Sequence, residues 1–78
     1  MYEAIVIDVS SQPPIGKGAM KFKYMPRVGE WVQLDEKGLA VMYLVVMIAH
    51  STSGGGVDLY VTRLKETPGK LIQQLTIQ

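Results

Sequence analysis

Leu39-Ala40-Val41-Met42-Tyr43-Leu44-Val45-Val46-Met47-Ile48-Ala49 is the longest uncharged apolar run in the chain, and the fold turns on whether it is helix or strand. Periodicity alone does not separate the two. The β-branched Val41, Val45, Val46 and Ile48 crowd a helical turn and suit a pleated surface, which favours the strand. Just upstream, Asp35-Glu36-Lys37-Gly38 reads as a compact hairpin loop, with Gly38 placed to take the left-handed conformation. The run is only about half as long as a membrane-spanning helix needs. Because it is apolar on both faces, the strand either bends across a barrel or buries one face against another molecule. Met42, Tyr43, Val45 and Met47 are therefore the candidate interface residues, methionine adapting well to irregular partner surfaces.

Working outward toward the N-terminus, Trp31-Val32-Gln33-Leu34 continues as extended chain, and Pro26 and Gly29 bracket a turn before it. Met20-Lys21-Phe22-Lys23-Tyr24 alternates cleanly, with the two lysines on one side and the apolar residues on the other. Ser10-Ser11-Gln12-Pro13-Pro14 followed by Gly16-Lys17-Gly18 predicts a loop of about ten residues, since adjacent prolines cannot donate to a ladder. Tyr2 to Val9 is a strand, with Ile5, Ile7 and Val9 opposite Ala4, Val6 and Asp8. Toward the C-terminus, residues 51–56 form a glycine-rich loop and Val57 to Leu64 the return strand. Beyond Thr67-Pro68-Gly69, residues 71–77 are predicted as a short sixth strand in preference to a helical turn.

The segment Met25-Pro26-Arg27-Val28-Gly29-Glu30-Trp31-Val32-Gln33-Leu34-Asp35, with the glycine turn and the valine-rich strand ending in His50, resembles small bacterial and phage-encoded SH3-like barrel proteins. Their pattern is P-x-V-G-E-x-V-x-L-D followed by an apolar strand that ends in histidine. The resemblance covers about a third of the chain and implies a fold; that group has no established activity, so no functional residue carries over. Met42, Tyr43 and Met47 depart from the more polar alternation of the group's second strand. Together with the strand pattern, this gives an all-β expectation: one domain, an SH3-like or related small barrel of five to six short antiparallel strands.

Composition narrows the chemistry. In 78 residues there is no cysteine and one histidine, His50, so disulfides are excluded and a structural zinc site nearly so. Apolar residues make up 47% and charged residues 19%, below the usual quarter, which leaves few groups to cover the outside. Eight Lys and Arg against seven Asp and Glu give a net charge of +1, without the basic excess of a nucleic-acid footprint. The opening residues lack a basic leader, and the expectation is a soluble, cytoplasmic protein with no membrane contact.

No set of residues points to catalysis or a cofactor. His50 ends a strand beside a flexible loop, an ordinary place for a solvated imidazole, and Asp35-Glu36 sits in a turn beside Lys37. Gly16-Lys17-Gly18 lacks the spacing and following helix of a phosphate-binding Walker loop. The basic cluster Lys17, Lys21, Lys23 and Arg27 holds four of the eight cations, with Trp31 close by in sequence. Such a strand with aromatic neighbours is how small barrels hold single-stranded nucleic acid, although Phe22 and Tyr24 alternate away from the lysines.

The expectation is therefore a non-enzymatic binding module without metal or cofactor, acting by protein–protein contact. Its first partner is itself, as a homo-oligomer, with an inhibitor or adaptor role toward another protein in view. The candidate binding residues are Lys17, Lys21, Lys23, Arg27, Trp31 and His50, and the alternatives are weak nucleic-acid binding by the Lys21 and Lys23 face with Arg27 and Trp31, and capture of a small molecule or nucleotide between subunits. In that last case the loops at residues 16–18 and 54–56 would act as lids.

Overall fold

The computed structural model describes residues 1–51 and 55–65. It contains five strands and, among the described residues, no helix: β1 (Tyr2–Asp8), β2 (Ile15–Phe22), β3 (Trp31–Glu36), β4 (Leu39–His50) and β5 (Val57–Arg63). They form one sheet in the order β2-β1-β5-β4-β3, curled strongly into a half-barrel. The predicted sixth strand at residues 71–77 lies outside the described residues.

Three of the four pairings are antiparallel, as the turn chemistry implied. The fourth, β1 with β5, is parallel, with Ala4 across from Val57 and Asp8 across from Val61. Two local units, the β1–β2 hairpin and the β3–β4–β5 meander, thus meet along a ladder between the first and last described strands.

The apolar run is a strand, and it bends. Val45 pairs with Val61 and Met47 with Tyr60, so Val46 is an extra residue in β4, a bulge. This one-residue slip lets Tyr43, Val45 and Ile48 face the same interior although their spacing is not a strict two. The core is small. It consists of Ala4 and Val6 from β1, Val32 and Leu34 from β3, Tyr43 and Val45 from β4, and Leu59 and Val61 from β5. Met20 and Phe22 of β2 pack against its margin.

β2 begins earlier than the sequence suggests. The loop expected through Gly18 ends at Pro14, and Gly16 and Gly18 are strand residues across from Ile7 and Val6. Lys17 between them is the extra residue of a second bulge, and Gly18 takes φ 92° there, which glycine adopts without strain. The bulge re-aims Lys17 from the outside of the sheet to its interior.

The hairpin between β3 and β4 is tighter than the predicted four-residue loop. Glu36 and Leu39 are paired, and only Lys37 (φ 54°) and Gly38 (φ 81°) form the turn. Two positive φ values in succession are those of a type I′ turn, whose twist matches the strands it joins. A Cβ built at Gly38 meets nothing within 4 Å, so Gly38→Ala costs only the left-handed backbone preference. We expect a loss of about 1 kcal/mol, read as a lower urea midpoint at unchanged slope.

Candidate functional site: two surfaces and a polar end

Alternation puts one set of side chains inside the curl and leaves another on its outer face. On β1 the inward set is Ala4, Val6 and Asp8, so the larger Ile5 and Ile7 face out. The register lines them up with neighbours of the same kind. Ile7, Tyr60 and Met47 form one row across β1, β5 and β4. Leu44 and Trp31 form a second row on β4 and β3. Met47 is 51% exposed, Ile5 45%, Trp31 43% and Val46 41%, so this outer face carries exposed apolar side chains, beside Glu3, Lys21, Gln33, Asp58 and Thr62 in the same alternation.

The second surface is a groove of about 980 Å³ at the β2–β3 side of the half-barrel. It lies beneath the arch of residues 23–30 and is lined by Phe22, Tyr24, Met25 and Trp31, with Lys23 and Arg27 at its rim. No Cα of β2 comes within 8 Å of a Cα of β3, whereas paired strands lie about 4.8 Å apart. The two edges therefore face each other across a slot. Side chains close the slot at its far end, where Lys17 Nζ lies 3.5 Å from Glu36 Oε2.

That end is polar. The Tyr43 hydroxyl donates a hydrogen bond to Glu36 Oε2, and Lys17 Nζ stands 6.0 Å from the centre of the Tyr43 ring. Nearby, the buried Asp8 carboxylate accepts from the N–H of Ser10 at 2.9 Å and from the hydroxyls of Ser10 and Ser11. The Arg63 N–H donates to Ser10 Oγ at 3.3 Å and ties β5 to the turn after β1. The hydrogen bond from Tyr43 holds the Glu36 carboxyl below its ordinary range, against the effect of burial, and Lys17 adds to it. Burial pushes the Asp8 carboxyl up, but the hydrogen bonds from Ser10 and Ser11 with the charge of Lys17 outweigh that and leave it lowered. Burial and the neighbouring Glu36 push the Tyr43 hydroxyl well above the usual phenol value. No described buried side-chain polar atom lacks a partner. A satisfied cluster of this kind fixes the end of the half-barrel.

The candidate residues separate. Of the interface set, Met42 and Met47 are on the outer side of β4, Met47 exposed and Met42 half-buried, whereas Tyr43 and Val45 are core residues. Of the binding set, the structure brings Lys23, Arg27 and Trp31 together around the groove. Lys17 points to the polar end, Lys21 is exposed on β2, and His50 is exposed at the end of β4, paired in register with Val57. Lys23 lies beyond β2 and stands 5.7 Å from the centre of the Tyr24 ring, so the strict alternation expected of Lys21 and Lys23 stops at Phe22. Among the described residues no group of three or more His, Asp or Glu is placed to hold a metal ion, and no helix is long and apolar enough to cross a membrane.

Asp8, Glu36 and Tyr43 were not singled out from the sequence as partners. Their signal is parity: each continues an inward alternation, Asp8 after Ala4 and Val6, Glu36 after Val32 and Leu34, and Tyr43 between Val41 and Val45. Comparison with protein-family models, curated proteins and solved structures finds no match for the chain.

Proposed function

We propose that this chain is a cytoplasmic, non-enzymatic binding module that acts by protein–protein contact, first of all with a second copy of itself. The observation that carries this reading is the outer face. Ile7, Tyr60 and Met47 in one row and Leu44 and Trp31 in another put large apolar side chains where a solvated sheet would carry polar ones. A chain of this size has a thin core, and covering such a face against a copy removes more apolar surface from water than folding alone. A net charge of +1 opposes that approach only slightly. Twofold pairing would also lay like rows on like rows, the self-complementary form most soluble dimers take. An inhibitor or adaptor role would use the same contact with a different partner.

Nucleic-acid binding has less support. Lys17 is paired with Glu36 and Arg27 with Glu30, the latter at 3.2 Å, so two of the four clustered cations already have carboxylate partners.

Native mass spectrometry with sedimentation velocity tests the proposal on the full chain. We expect a multiple of the 8.6 kDa chain mass for the unaltered protein. Ile5→Lys with Met47→Lys should give a monomer with an unchanged circular dichroism spectrum, because both residues point outward. An unaltered protein that stays monomeric at about 100 μM, an interface affinity too weak for a specific dimer, would overturn it.

A further inference from the structure

We infer that the slot between β2 and β3 is a docking site for an extended peptide, which adds a strand to the edge of β3 that no described strand pairs, beneath the arch of residues 23–30. This site is separate from the outer face, and its test does not depend on self-association.

The hydrogen-bond parity of β3 identifies the kind of ligand. Glu36 and Leu39 close a two-residue turn, which makes them a bonded pair. Bonded and non-bonded pairs alternate along an antiparallel ladder, so Leu34 and Val32 are bonded to Val41 and Tyr43. The other side of β4 agrees, since the Met42 carbonyl accepts from the Leu64 N–H and so points toward β5. Trp31, Gln33 and Asp35 therefore direct their N–H and C=O groups away from the sheet, into the slot. An edge of this kind is satisfied by another strand.

The lining agrees with that occupant. Paired strands lie about 4.8 Å apart, and the two edges stay more than 8 Å apart by Cα, so β2 does not itself occupy the edge of β3. From Trp31 to Asp35 the edge runs about 13 Å at the strand rise of about 3.3 Å per residue, enough for roughly five residues. Side chains of the guest level with Val32 and Leu34 would turn inward against Phe22 and the core margin, so the peptide should be apolar at alternate positions. At the rim Arg27 is occupied by Glu30, whereas no described carboxylate lies within 4 Å of Lys23. An acidic residue at the matching end of the peptide would meet it.

The experiment selects random octapeptides displayed on phage against the full chain, then titrates the best synthetic peptide into isotope-labelled protein. We expect an alternating apolar consensus, and the largest amide shifts at Trp31, Gln33 and Asp35. N-methylation of alternate peptide amides should weaken binding at least tenfold, while N-methylation of the intervening ones leaves it intact. Gln33→Pro removes one edge donor and should give a similar loss, with Gln33→Ala retaining affinity. Should Gln33→Pro not fold, the N-methylated peptides carry the test alone. Failure to enrich any peptide, or a peptide indifferent to N-methylation, overturns the proposal. So does oligothymidylate that displaces the peptide and shifts Lys23, Tyr24 and Trp31 with a steep salt dependence, which would make the groove a nucleic-acid site.

Discussion

Val45→Asp should leave the chain unfolded at 25 °C, whereas Met47→Lys, two residues further along the same strand, should leave it folded. Val45 is 1% exposed and packs inside the curl with Leu59 and Val61. An aspartate there loses the apolar burial and brings a carboxylate into the core with no cation placed to meet it. The combined cost is more than about 4 kcal/mol, a large share of what a small domain has to lose. Met47 is on the far side of the bulge at Val46 and half exposed, so a lysine there extends into water. Far-ultraviolet circular dichroism and urea melts of the two variants, side by side, read the difference. Equal loss from both would mean that the bulge does not set the facing of β4 as described.

Asp8→Ala is expected to cost about 2–3 kcal/mol at neutral pH. The change takes the charged acceptor away from the Ser10 N–H and from the hydroxyls of Ser10 and Ser11. The same carboxylate shapes the response to acid. Asp8 and Glu36 both have folded-state values below their ordinary 3.8 and 4.5. A depressed carboxyl contributes stability that is present above its unfolded value and is lost as pH falls through its folded one. The protein should therefore hold its stability down to about pH 5 and lose it progressively below that. Asp8→Asn, which cannot ionise, should flatten this acid limb without removing it, because Glu36 still titrates. Urea midpoints between pH 2 and 7 measure both effects, and an acid limb unchanged in Asp8→Asn would show that Asp8 is not depressed.

The strands were legible because each carries its own signal: β-branched residues in β1 and β5, alternation in β2, a glycine turn between β3 and β4. The bulges were not. Nothing local marks Val46 as the extra residue of β4, since Val45, Val46 and Met47 are all apolar and the slip is decided by which of them finds Val61 or Tyr60 opposite. Gly16 and Gly18 read as loop residues because glycine has the same appearance in a turn and in a bulged edge strand. The parallel β1–β5 ladder also has no local signal, being a choice between distant segments. The groove was half visible. Lys23, Arg27 and Trp31 lie close together in the sequence, but the alternation that would turn Tyr24 away from the lysines ends at Phe22, and Tyr24 is 74% exposed. The facing edges of β2 and β3 follow from the curl of the whole sheet, which no short stretch encodes.

The parallel ladder also governs the order in which the molecule assembles. β3, β4 and β5 are joined by sequential antiparallel pairings, and β1 and β2 by another, so each unit forms from near neighbours along the chain. Ala4 and Val57 meet only when the long intervening loop closes, an entropic cost that local contacts do not offset. The docking of the β1–β2 hairpin onto the β3–β4–β5 meander is then the step expected to set the folding rate. Until that event Val6, Leu59 and Val61 stand in water, and the interval before it is when this chain is most exposed to aggregation.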